Sequence, residues 1–343
     1  KRMKRWIKNT LITGFWGLMI LAWIVIGLFY YQGSRPASNE NISKIFEIES
    51  GMPLKQIAQK LSRQGLILSP SAFQAIALIQ NKQKQIMVGE YNLSPSMLPS
   101  EILTRITSGK TVLHPVTIPE GYRITEIAAL LQSEGLADRE IFLRHTRDKS
   151  LIQSLGITAD NLEGYLFPET YHFSKHSPEL KMVQKMVATF KERILVPQLM
   201  KSAEKSSLSW HEIITLASLI EKETGLDSER KIISSVFYNR LRKNMRLQTD
   251  PTVIYAIEKF DGNIRKRDLK IDSPYNTYRY KGLPPGPIAN PGLKSIVAAI
   301  SPIKSDHLYF VSRQDGSHHF SSTLVEHNQA VQKYQLKKVR TRR

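Results

Sequence analysis

The stretch SWHEIITLASLIEKETG, residues 209–225, has the marks of a complete helix. Ser209, three residues before Glu212, makes a capping-box start, in which each side chain reaches the other residue's backbone N–H. Ile213, Ile214, Leu216, Ala217, Leu219 and Ile220 supply a broad apolar face, and Gly225 suits the position just past a helix end. Two carboxylates, Glu221 and Glu223, close the helix on opposite flanks of that face. Burial beside apolar groups disfavours the charged form of a carboxylate, which is what a proton donor to a leaving group needs. The periodicity does not choose between the two acids. It also leaves open that both simply pair with Arg230, Lys222 or other bases.

The residues that follow add polar chemistry on loops. RLQTDPTVIYAI (246–257) places Gln248, Thr249 and Asp250 ahead of Pro251, a first-turn helix residue, with Tyr255 one turn on. SPYNTYRYKGLPPGPIANPG (273–292) is a long loop carrying Asn276, and Asn290 before Pro291 reads as a further helix N-cap. Amides, hydroxyls and aromatic rings on loops are what a sugar-binding cleft uses, although each is also ordinary turn chemistry. Other reaction classes fail on their residues. HEIIT (211–215) has Thr215 where a zinc protease helix needs its second histidine. His318 and His319 are adjacent and so diverge in a strand, which makes surface polarity their plainer role. Neither a phosphate-cradling glycine loop nor a serine-nucleophile elbow is present. With no cysteine, thiol catalysis, disulfide scaffolds and zinc ribbons are excluded.

Upstream, FEIESGMPLKQIAQKLSRQGLI (46–67) and VTIPEGYRITEIAALLQSEGLA (116–137) align at a constant offset, with Gly51 on Gly121, Ile57 on Ile127, Leu61 on Leu131 and Gly65 on Gly135. Each copy reads as a strand, a glycine turn, an amphipathic helix and a glycine stop. Such self-similarity suggests a duplicated module, similar to LysM modules that bind N-acetylglucosamine polymers. LEGYLFPETYHF (162–173) is dense in aromatics and reads first as a ring cluster beneath a loop.

Hydrophobic residues make up 41% of the 343 and charged ones 23%, the balance of a packed globular chain. About half of the net charge of +19 sits at the ends: Lys1, Arg2, Lys4, Arg5 and Lys8 at one, and Lys337, Lys338, Arg340, Arg342 and Arg343 at the other. That distribution points to a membrane surface rather than a nucleic-acid groove. Residues 10–31, TLITGFWGLMILAWIVIGLFYY, carry no charge and are long enough to cross a bilayer. The preceding bases place the N-terminus in the cytoplasm, and the remainder of the chain on the periplasmic or outer side.

Taken together, LASLIEKETG, SVFYNRL, MRLQTDPTVIYA, YNTY, GLPPGPIANPG and LYFVS resemble, in that order, the YceG-like family of membrane-anchored endolytic murein transglycosylases. The resemblance covers about residues 44–335 and implies cleavage of the MurNAc–GlcNAc bond within glycan strands, leaving a 1,6-anhydro-MurNAc end. It implies no metal or organic cofactor, peptidoglycan synthases as partners, and an inner-membrane location with a single pass. By motif match the catalytic acid is Glu221, the first glutamate of EKET. Glu223, Gln248, Thr249, Asp250, Tyr255, Asn276 and Asn290 are then the expected substrate-side residues. An ordinary glycosidase pairs two carboxyls; here the substrate's own 6-hydroxyl replaces water, and its acetamido group stands in for a second acid. The main alternative is a non-catalytic peptidoglycan-binding scaffold, and another is a plain hydrolase of the same bond.

The expected fold is α+β. A cytoplasmic tail (1–9), a transmembrane anchor (10–31) and a linker (32–43) precede a LysM-like module (44–112). A second βα module or connection (113–180) leads into a mainly helical catalytic domain (181–336) with a small sheet from HLYFVS (307–312) and SHHFSST (317–323), then a basic tail (337–343).

Overall fold

The computed structural model describes residues 2–336, and side chains from Phe15 onward. The basic tail at 337–343, Lys1, and the side chains of the other N-terminal bases and of residues 10–14 of the predicted anchor lie outside the described residues. Helix α1 spans Arg2–Gly33. Within it, the 19 residues Phe15–Gly33 are long and apolar enough to cross a membrane, and no residue of that stretch is buried. Two compact units follow, one ending at His114 and taking in Ser174–His176, the other running from Pro115 to Phe173 and onward from Ser177.

The first unit contains β1 (Lys44–Ile48), α2 (Leu54–Arg63), α3 (Pro70–Ile79), β2 (Gly89–Leu93) and α4 (Pro99–Thr107). β1 and β2 pair antiparallel, with Phe46 opposite Tyr91. Both rings are fully buried with Ile57, Leu61, Phe73, Leu103 and Ile106. Apolar side chains recur at helical spacing on α2, so one stripe enters this core while Lys55, Gln56 and Gln59 stay outside it.

The second unit begins with β3 (His114–Thr117), α5 (Ile124–Ser133), α6 (Arg139–Arg147), α7 (Lys149–Ser154) and β4 (Thr170–Phe173), with β3 and β4 paired. It continues with α8 (Glu179–Ile194), α9 (Pro197–Ala203), α10 (Trp210–Glu223), α11 (Asp227–Arg242), α12 (Asp250–Ala256) and α13 (Leu293–Ile300). A hairpin of β5 (Tyr309–Ser312) and β6 (His318–Ser321) and helix α14 (Leu324–Val331) complete it. β5 and β6 pair antiparallel with Phe310 opposite Phe320, where the expected small sheet lies. A single core joins Ile118, Ile127 and Leu131 to Met182, Val187, Leu216, Ile220 and Ile296. The second copy of the repeat is therefore packed directly with the helices that follow it.

The two copies share backbone detail. Gly51 and Gly121 have φ of 78° and 77°, and Gly65 and Gly135 have 70° and 67°, a left-handed conformation that glycine adopts without a Cβ penalty. At both helix ends the stop is the same: Gly65 N–H donates to Ser62 and Leu66 N–H to Leu61, as Gly135 donates to Gln132 and Leu136 to Leu131. In both units two strands pair across an intervening set of helices.

Candidate active site

Helix α10 starts as its sequence dictates: the Glu212 carboxylate accepts from the Ser209 N–H at 2.8 Å, and Ser209 Oγ accepts from the Glu212 N–H. Its end differs from expectation. Thr224, in extended conformation, caps the helix, and Gly225 follows without a left-handed φ. Thr224 Oγ1 accepts from the Leu226 N–H at 3.0 Å and donates to Glu229, so a side chain rather than a glycine turns the chain out of the helix.

The two glutamates at this end face different surroundings. Glu221, with its side chain only 7% exposed, accepts from Arg230 Nη1 at 3.0 Å through one oxygen and from the Gly292 N–H at 2.9 Å through the other. Arg230 is itself buried, on α11, and also donates to Ser295 Oγ at the start of α13 and to Asp227 at 3.2 Å. The niche is thus ionic, not purely apolar: the pairing with Arg230 that the sequence left open is the one formed. The turn of the second repeat copy closes the other side. Lys222 Nζ donates to the Gly121 carbonyl at 3.3 Å, and a Cβ on Gly121 would lie 3.5 Å from Glu221 Cγ. A Cβ on Gly292 would overlap the Glu120 carboxyl, which rests against this glycine's α-carbon. Four segments meet here: the end of α10, the first turns of α11, the entry to α13 and the β3–α5 turn.

Glu223 points to the opposite flank, as the helical spacing requires. It accepts from Thr249 Oγ1, and its pKa is pushed up to about 7, chiefly by desolvation. The Thr249 N–H donates to Thr277 Oγ1, and Tyr278 OH donates to Asp250 at 2.6 Å. Gln248 holds a left-handed φ of 50° with its side chain exposed. Glu223, Gln248, Thr249 and Asp250 are therefore brought together at the start of α12.

Asn276 and Asn290 are fully buried, with their amides engaged by the protein. Asn276 Nδ2 donates to the Leu269 and Ile271 carbonyls and holds the long loop closed. Asn290 is not the N-cap of α13, a place taken by Gly292. Its Oδ1 accepts from the Gly164 and Leu166 N–H groups, and its Nδ2 donates to the Tyr122 carbonyl and to Glu163. It bolts the loop before α13 to the 163–166 turn and to the β3–α5 turn, which fixes Gly292 two residues on. Tyr255 OH donates to Glu163 at 3.4 Å; its ring lies 4.8 Å from that of Tyr275, with the Arg123 guanidinium at 5.1 Å.

Three acidic side chains escaped the sequence reading. Glu163 is 4% exposed and receives Asn290, Tyr255 and the Ile124 N–H; burial lifts its pKa to about 8. It lay within the aromatic stretch, where the rings drew attention. Glu120 sits in the second repeat at the position where the first has Ser50, and that difference between copies was the available signal. Glu229 accepts from His318 Nδ1 at 2.7 Å and from the His318 N–H at 2.8 Å. His318, only 13% exposed on its side chain, is thus a half-buried tie between β6 and α11 and not the surface residue expected.

The chain belongs to the YceG-like family, which it matches over residues 46–333. It is 38% identical over 330 residues to the endolytic murein transglycosylase of Bacillus subtilis (strain 168), covering 91% of each chain. It is 33% identical over 316 residues to the protein of that description from Streptococcus pneumoniae serotype 2, covering 83% of this chain and 57% of that one. Among solved structures, a YceG-like protein from Listeria monocytogenes superposes with a TM-score of 0.58 at 37% identity, covering 84% of this chain and 98% of the other.

Proposed function

We propose that this chain is an endolytic murein transglycosylase that cuts peptidoglycan glycan strands at the MurNAc–GlcNAc bond and leaves a 1,6-anhydro-MurNAc end. The observation that carries the reading is the placement of Glu221: a carboxyl almost withdrawn from water, fixed through both oxygens, with a polar turn from each of three other segments around it. In this reaction Glu221 gives its proton to the bridging oxygen as the C1–O bond breaks. As the carboxylate it then takes the proton of the 6-hydroxyl, which closes on C1. The atoms balance without water, so neither a second nucleophile nor a metal-activated hydroxide is required. Arg230 and the Gly292 N–H stabilise the carboxylate formed in the first step, an electrostatic preorganisation that costs no rearrangement during the reaction.

The polar groups around Glu223, Thr249, Asp250 and Gln248 lie along the same helix end and form the substrate side of the site, with Asn276 and Asn290 holding the loops that present it. In the first unit, the antiparallel β1–β2 pair packed with α2, α3 and α4 is offered as a LysM-like glycan holder. An open groove of about 820 Å³ lined by Asn92, Ser100, Glu101, Thr104, Arg105 and Lys110 gives it polar contacts for sugar hydroxyls. α1 anchors the protein in the cytoplasmic membrane with its basic N-terminus inside, which sets the second unit among nascent strands and beside the synthases that make them.

The test is mass spectrometry of purified sacculi incubated with the full chain and with Glu221→Gln. Anhydro ends with the wild type and a loss of about 10²–10⁴-fold with the folded variant are expected, the range a positioned proton donor contributes. Reducing ends that carry label from heavy-oxygen water mean a hydrolase, and unaltered strands mean a binding scaffold.

A further inference from the structure

Helix α3 breaks the pattern of its unit. α2 turns Lys55, Gln56 and Arg63 to water, and α4 turns Glu101, Thr104 and Arg105. α3, PSAFQAIALI, has no charged residue at all. Its Ala72, Phe73 and Ala77 enter the core, yet Leu78 and Ile79 stand outside it, Ile79 with 84% of its surface exposed. An apolar helix of 10 residues is too short to cross a bilayer; it is either a core helix or one that lies in the membrane interface. The bare apolar end of α3 favours the second.

The position of α1 says what covers this face. Gly33, the last residue of α1, lies against α3: a Cβ there would be 3.4 Å from Ile76 Cδ1 and 3.6 Å from Ala72 Cβ. Further back along α1, Ile26, Phe29 and Tyr30 line one open groove with Ile76 and Ile79, of about 410 Å³. Tyr30 and Tyr31 are exposed, and the Arg35 guanidinium lies over the Tyr31 ring at 4.3 Å and donates to its hydroxyl at 3.1 Å. Amphipathic rings beside a cation settle where headgroups meet acyl chains. Residues 30–35 therefore mark the headgroup level, and the contact with Gly33 holds Ala72 and Ile76 at that level. At 1.5 Å per residue of an upright helix, Phe29 and Ile26 lie about 6 and 10 Å deeper than Gly33. The groove that Ile79 shares with them thus opens on the outermost acyl carbons. An interfacial helix buries its apolar face by about 5–10 Å, the same depth. Charge agrees. From Ser50 to Gly89 the chain has no acidic residue, so no acid of this stretch neutralises Lys82 and Lys84, which directly follow α3.

We propose that α3 is a second membrane contact of this protein, a helix lying in the bilayer interface beside the anchor. Leu78 and Ile79 sit among the outer acyl carbons, lipid chains fill the groove against α1, and Lys82 and Lys84 meet the phosphates of an anionic phospholipid surface. The inference rests on reading α1 as a membrane anchor and is independent of the reaction. The first unit is then fixed at the bilayer surface by two contacts instead of hanging from one.

The experiment exploits the absence of cysteine, which makes any introduced thiol a unique labelling site. Ile79→Cys on α3, Gln56→Cys on α2 and Leu18→Cys on α1 are each made in the full chain and labelled with an environment-sensitive fluorophore. All three positions are exposed, so the substitutions leave the core intact. The chains are reconstituted alone into vesicles of phosphatidylglycerol and phosphatidylethanolamine. Lipids with a nitroxide at a shallow or a deep acyl carbon quench from inside the bilayer, and iodide quenches from the water. The Ile79→Cys label is expected to be shielded from iodide and quenched best by the shallow nitroxide, at a depth of about 5–10 Å below the headgroups. The Gln56→Cys label shows the reverse, open to iodide and untouched by either lipid. The Leu18→Cys label is quenched best by the deep nitroxide. An Ile79→Cys label that is open to iodide and unquenched by lipid, while Leu18→Cys is quenched, overturns the proposal and leaves this face to water or to another protein. Failure of the anchor reading shows separately, as a Leu18→Cys label that no lipid quenches, and takes the proposal with it.

Discussion

Asn290 supports a sharp test of how the site is held. Replacing it by alanine deletes an acceptor shared by two buried N–H groups, those of Gly164 at 3.0 Å and Leu166 at 2.9 Å, and a donor to Tyr122 and Glu163. The site is fully buried, so water does not replace the lost partners. An orphaned buried donor costs about 1–3 kcal/mol. The Tyr122 carbonyl keeps the Asn290 backbone N–H as a partner, which limits the damage there. The two N–H groups together then set the loss at about 2–6 kcal/mol, a large part of the stability of an ordinary domain. For a unit of this size that corresponds to a fall in Tm of about 5–20 °C. Denaturant unfolding followed by the fluorescence of Trp210, the only tryptophan outside α1, reads the second unit directly. A loss below about 1 kcal/mol would refute the assignment of Asn290 as the bolt between these loops. Asn290→Asp is a useful control: it keeps the acceptor but sets an oxygen against Glu163, so its cost grows as pH rises and both groups ionise.

The remaining predictions use the same structure. Glu163 has a folded-state pKa of about 8 against an ordinary 4.5, so the folded state binds more protons between these values and stability falls as pH rises through that window; Glu163→Gln flattens this fall in denaturant midpoints measured from pH 4.5 to 8. Gly292→Ala, at an unstrained φ of −74°, meets first the end of the flexible Glu120 side chain, which can move aside, and changes stability by less than about 1 kcal/mol in denaturant unfolding. His318→Ala removes the ring that pairs with buried Glu229 and lowers stability by about 1–3 kcal/mol in denaturant unfolding, with Asn in its place recovering part of the loss.

Local signals were legible wherever one element carried them whole. The capping box at Ser209, the apolar face of α10, the glycine turns of the repeat and the β5–β6 hairpin each depend on contacts within a few residues, and each formed. The position after α10 was misjudged because its cap comes from Thr224 tied to Glu229, a bond made only once α11 has packed. Asn290 before Pro291 had the look of an N-cap by local pattern. Its amide instead serves backbone groups more than a hundred residues away, a demand that no nearby sequence expresses. Helical periodicity leaves Glu221 and Glu223 equivalent because it reports which flank a side chain occupies and not what stands opposite.

The amino-acid order alone settled the anchor-length apolar run, the duplicated strand–turn–helix unit, the helix that carries Glu221 and the family to which the chain belongs. These are short-range or additive properties of the chain. Only the tertiary structure decided that Glu221 meets Arg230 and Gly292 while Glu223 meets Thr249, and that Glu120 reaches the same glycine from a turn far earlier in the chain. The environment of an ionisable group is set by charges and dipoles within a few ångströms in space, whatever their separation in sequence.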